Sequence, residues 1–113
     1  MWLAESRVNG TGRAVIIQED FRRARDLFTR AARRGLATAF YNLGSMSLLG
    51  QGSSPDSIGS YTWFSLARDR ASDEATRAQA LRNLGLLAAK MSKEQIQDAL
   101  RRARDWPEAD PMH

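Results

Sequence analysis

The chain of 113 residues has no cysteine, a single histidine and three prolines. Without cysteine, disulfides and thiolate metal sites are excluded, and the redox compartment stays open. The one histidine, His113, is the last residue. A histidine-based metal centre or a nucleophile–histidine pair therefore has almost nothing to be built from, and no cofactor is implied. No apolar run approaches the roughly 20 residues of a membrane-spanning helix. The start, Met1 to Val8, lacks the basic opening and apolar stretch of a signal peptide. As written, the chain reads as cytoplasmic, or as periplasmic if it is a mature or truncated fragment.

Lysine is also scarce, with two against fifteen arginines, in a net charge of +4. The arginines alternate with acids, which is the pattern of solvated helix faces. Gly10-Thr-Gly12 and Gly50-Gln-Gly52 could be mistaken for phosphate loops. Neither has a strand before it, nor further glycines or a Gly-Lys-Ser/Thr ending. Nucleic acid is disfavoured as a partner on these grounds.

What the sequence does hold is self-similarity. Ala37-Thr-Ala-Phe-Tyr-Asn-Leu-Gly44 and Ala78-Gln-Ala-Leu-Arg-Asn-Leu-Gly85 share Ala, Ala, Asn, Leu and Gly at an offset of 41. Ahead of them, residues 20–31 align with residues 56–67 at an offset of 36, each beginning with Asp and ending with Ala. Echoes of that period mark stacked repeats, which build extended binding surfaces rather than catalytic clefts.

Apolar spacing predicts helices over 20–34, 37–49, 56–70, about 73–90 and 93–106. In the first, Phe21, Ala24, Leu27, Phe28 and Ala31 form one stripe, and Gly35 ends it. Ser72 is the expected cap before Asp73 and Glu74, and Ser92-Lys-Glu-Gln95 is a capping box. Ile96, Ala99, Leu100 and Ala103 form the stripe of the last helix, closed by Trp106. Gly44 and Gly85 fall mid-helix, where glycine costs about 1 kcal/mol against alanine. Both are expected at close helix crossings. Gly59 is expected to weaken the start of its helix. Residues 2–9 read as the last two turns of an earlier helix, and 10–19 as a loop with Val15, Ile16 and Ile17 against the core.

The stretch Ala37-x-Ala-Phe-Tyr-Asn-Leu-Gly-x5-Gly-x-Gly-x3-Asp-x6-Trp-Phe-x2-Ala67 resembles one unit of the Sel-one-like repeat family, a relative of the tetratricopeptide repeat. The resemblance implies an all-α, right-handed α-α superhelical solenoid of helix-turn-helix repeats in one domain. Residues 1–36 would be a partial first unit, 37–77 a second, 78–107 a third with a capping helix, and 108–113 a tail. In such solenoids the first helices of successive units line a concave groove. Carried onto this chain, that groove presents Thr38, Tyr41, Asn42, Ser45, Leu48, Gln79, Arg82, Asn83 and Leu86. Tyr41 and Arg82 share one register there, and both are expected to point away from the core.

The implied function is a non-enzymatic adaptor that binds another protein or peptide. A second reading is an immunity-type inhibitor of a bacterial toxin enzyme, and a third a nucleic-acid-binding module. The incomplete first unit leaves Trp2, Leu3 and the apolar side of helix 20–34 poorly covered. Self-association through that end is expected, or continuation into a longer protein.

Overall fold

Glycine, proline and capping side chains divide this chain into helices. The computed structural model describes residues 10–107, with side chains from Gln18 onward. They form five α-helices and no strand among the described residues: α1 (Gly10–Arg33), α2 (Ala37–Leu49), α3 (Ser57–Arg70), α4 (Glu74–Ala88) and α5 (Lys93–Arg104). The all-α expectation holds.

The boundaries follow local chemistry. Gly35 takes the left-handed conformation (φ 84°) that ends α1, and its N–H donates to the Ala32 carbonyl at 2.8 Å. Gly50 (φ 73°) does the same for α2, and Gly52 (φ 83°) turns the loop back. These are backbone states that side chains with a Cβ rarely adopt. Asp56 caps α3 by accepting from the Gly59 N–H at 3.0 Å, so the helix starts firmly despite its glycine. At α5 the capping box is complete: Ser92 Oγ accepts from the Gln95 N–H at 3.1 Å, and Gln95 Oε1 from the Ser92 N–H at 2.9 Å.

Several expectations are corrected. Residues 10–19 are the first turns of α1, not a loop. Nothing between Gly12 and Gly35 breaks a helix, and no proline follows Gly12 as Pro55 follows Gly52. The placement of Val15, Ile16 and Ile17 against the core, like the helix proposed for residues 2–9, lies outside the described residues. The cap of α4 is Asp73, one residue beyond Ser72; its carboxylate accepts from the Thr76 N–H at 2.9 Å. That bond holds the Asp73 carboxyl below the usual carboxylate range. The last two helices stop at Ala88 and Arg104, two residues short of expectation.

Cross-helix bonds fix the packing. Arg25 reaches Ser47 Oγ at 3.3 Å and the Gly52 N–H reaches Gln18 at 3.0 Å, so α1 and α2 run antiparallel. The Ser60 hydroxyl donates to the Gly44 carbonyl at 2.8 Å while Phe40 meets Trp63, which makes α2 and α3 antiparallel as well. The central element is α3. It packs against α2, α4 and α5, whereas α1 rests chiefly on α2. Trp63 and Trp106 meet edge-on at 5.0 Å between ring centroids, and Phe40 and Trp106 at 5.5 Å, arrangements that aromatic quadrupoles favour. Phe64 bridges this core to Leu84 and Leu87 of α4.

Gly44 is where helices cross closely: a Cβ there would lie 2.9 Å from the Phe64 ring. The matching expectation for Gly85 fails, since nothing lies within 4 Å of that position. Two supposed stripe residues are also exposed, Leu27 at 61% and Leu100 at 40%. Each stands on a flank of its helix left partly open among the described residues.

Candidate binding surface

The residues expected to line a groove lie on α2 and α4. The structure joins the two helices through them at one place. The Asn83 side-chain amide donates to the Tyr41 hydroxyl at 3.2 Å, across 42 residues of sequence. Both residues are half-buried. The Tyr41 ring meets Phe64 edge-on at 5.3 Å and packs against both core clusters. That corrects the expectation that Tyr41 points away from the core. The register argument paired Tyr41 with Arg82, but the bond runs to the neighbouring Asn83.

Around this link the candidates divide into two groups. Asn42 and Ser45 are half-buried, whereas Thr38, Leu48, Gln79, Arg82 and Leu86 are exposed. Leu86 stands 66% exposed and Leu48 39%. Arg82 enters no ion pair among the described residues. Many other arginines are engaged locally, as in Arg30–Asp26, Arg77–Glu74 and the Asp98 carboxylate shared by Arg101 and Arg102. Arg82 thus offers a planar donor fork to an incoming carboxylate or carbonyl without first breaking a bond. Leu86, one turn further along α4, supplies exposed apolar area on the same side.

Arg25 plays a different part. It is partly buried between α1 and α2, and desolvation lowers its pKa while the nearby Asp56 carboxylate opposes that shift. Sequence pattern placed it on a solvated face. Its bond to Ser47 makes it part of the helix contact instead.

Among the described residues, no group of three or more His, Cys, Asp or Glu comes together to hold a metal ion. No helix among them is long and apolar enough to cross a membrane. The cleft of about 390 Å³ beside Lys93, Glu94, Gln97 and Arg101 presents both signs of charge. Sequence reasoning missed the open side of α4 at Leu81 and Gly85. The echo sets Leu81 and Gly85 in register with Phe40 and Gly44, which are buried. Comparison with known proteins gives no match to a family model, a curated protein or a solved structure.

Proposed function

We propose that this protein is a non-enzymatic interaction module, a short right-handed stack of Sel-one-like units that holds a partner protein or peptide against α2 and α4. The observation that carries the reading is the Asn83–Tyr41 bond, which ties neighbouring turns of α2 and α4 into one strip. A strip held from below by Phe64 loses little freedom when a partner arrives, so less of the binding energy goes into ordering it. Arg82 and Leu86 provide the charged and apolar anchors on its outer side, and arginine is among the residue types that dominate binding hot spots. An extended peptide carrying a carboxylate next to an apolar side chain fits that pair.

The test is a comparison of captured partners. Immobilised wild type, Arg82→Ala and Leu86→Ala are exposed to native extract, and the proteins lost from the variants are identified and titrated. Each substitution is expected to weaken binding of the true partner by about 2 kcal/mol. Both side chains are exposed, so melting temperatures should stay within a degree or two of wild type. A partner bound by both variants with unchanged affinity would place the interface elsewhere.

A further inference from the structure

Among the described residues, two helices lack the neighbour that their equivalents have, and the two open faces are complementary. By the octet echo, α4 is the counterpart of α2. The positions turned to the shared core are buried in both: Ala39 and Ala80, Leu43 and Leu84, Met46 and Leu87. The flank that receives α3 on α2 is carried by Phe40, fully buried, and Gly44, which admits the Phe64 ring. On α4 the same flank is Leu81, 49% exposed, and Gly85, with open space where a Cβ would stand. The helix that follows does not fill it, because α5 lies against α3 and makes little close backbone approach to α4.

The second echo makes α1 the counterpart of α3, and here too one side is bare. Phe28 matches Phe64, Leu27 matches Trp63 and Ala31 matches Ala67. Trp63 is 1% exposed and Leu27 61%. Leu27, Arg30, Ala31, Arg34 and Leu36 line an open cleft of about 250 Å³ on that side. So α1 presents the face that α3 uses to seat on α2, and α4 presents the face that α2 uses to receive α3.

From this we propose that the occupant of the α4 flank is α1 of a second copy of this chain, docked as α3 docks on α2. Leu27 of the incoming copy would then lie on Leu81, and Phe28 would approach Gly85. Charge supports the orientation. In the α2–α3 pair the end of α3 lies at the start of α2, where the Arg70 guanidinium sits 5.5 Å from the Phe40 ring centre. The same geometry brings Arg30 and Arg34 of the next copy to the start of α4, where Asp73 and Glu74 are exposed. Opposite charges at that end favour the pairing, and the reversed orientation loses them. Because the two faces differ, the contact is heterologous and does not close on itself after two copies.

Sedimentation velocity over a concentration series tests this. Wild type should grow from monomer past dimer as concentration rises. Leu27→Glu and Leu81→Glu, both at exposed positions, should each remain monomeric, and their equimolar mixture should stop at a dimer, since each retains the face the other lacks. Gly85→Gln fills the seat while improving helix propensity. It should raise the melting temperature yet weaken association at least ~30-fold, the loss of one hot spot. A wild type that stays monomeric throughout overturns the proposal. So does a dimer that survives either charged variant, or a mixture that fails to complement.

Discussion

Helices α3 and α5 reverse the usual link between sequence pattern and burial. In α5 the apolar and charged residues divide most sharply into two sides, yet Ala99 is its only buried residue. In α3 the two kinds are scattered with almost no division, yet eight residues are buried, among them Gly59 and the hydroxyl residues Ser60, Thr62 and Ser65. The cause is the number of neighbours. Partners on three sides leave no exposed residue over 58–68 of α3, so its charges collect in the last turn, whereas α5 lies chiefly on α3 and is pinned by Trp106 just past its end. A helix surrounded by others cannot show a stripe, because a stripe records one covered side and one wet side. Polar residues enter such a helix when they are small and can bond to a carbonyl nearby: Thr62 donates to the carbonyls of Ile58 at 2.8 Å and Ala99 at 3.3 Å.

The contrast is sharpest at the largest side chains. Trp63 is almost wholly enclosed and joins Phe40 to Trp106. Trp63→Ala should lower stability by about 3–5 kcal/mol, through lost burial and the cavity left behind. On α5, Leu100→Ala should cost under about 1 kcal/mol, because much of that side chain is wet already. Chemical denaturation of the two variants measures both. Equal losses would mean that α5 is as firmly seated as α3.

The next effect concerns how closely α3 is held. Gly44→Ala introduces a methyl group 2.9 Å from the Phe64 ring. Overpacking costs about 1–3 kcal/mol, against a gain in helix propensity of about 1 kcal/mol. A net loss is expected. Gly85→Ala meets open space and should keep the gain alone. Melting temperatures should therefore move in opposite directions; a shift of the same sign in both would deny that α3 presses on α2 more closely than anything presses on α4.

These two glycines also show what the sequence could convey. The helices over 37–49 and 56–70, the left-handed Gly35 and the Ser92–Gln95 box were all legible, because caps and breakers act within a few residues. The equivalence of Gly44 and Gly85 was legible too. Whether a neighbour arrives was not, since that depends on where α5 goes, and α5 carries the same kind of stripe whether it covers α4 or α3. At the candidate surface, the bond from α4 comes from Asn83, whereas register paired Tyr41 with Arg82. It missed that the Tyr41 ring would be drawn inward by Phe64. Helix α1 was read short, because Gly10-Thr-Gly12 looked like Gly50-Gln-Gly52, and the helix-breaking context after a glycine pair decides its fate.

A helix with one covered side leans more heavily on its ends. Ser92→Ala removes the acceptor for the Gln95 N–H, leaves the backbone N–H that donates to Gln95 Oε1, and should cost about 1 kcal/mol. The loss should appear first as faster amide exchange over residues 93–97, with α3 still protected. Uniform loss of protection along the chain would show instead that α5 opens only with the whole molecule.

The smallest effects lie within α3 itself, at two fully buried hydroxyls. Ser60 donates to the Gly44 carbonyl at 2.8 Å, whereas Ser65 Oγ has no hydrogen-bond partner. Ser60→Ala removes a buried bond and should cost about 1 kcal/mol. Ser65→Ala removes a polar atom buried without compensation, so it should leave stability unchanged or raise it by up to about 1 kcal/mol. The two substitutions delete the same atom from the same helix at equal burial, so their difference isolates the hydrogen bond from the apolar packing around it. Denaturant midpoints measured side by side decide the matter. If Ser65→Ala proved as costly as Ser60→Ala, the Ser65 hydroxyl must be bonded in solution, and the close packing assigned to the flank of α3 around Thr62 and Ser65 would have to admit a water molecule.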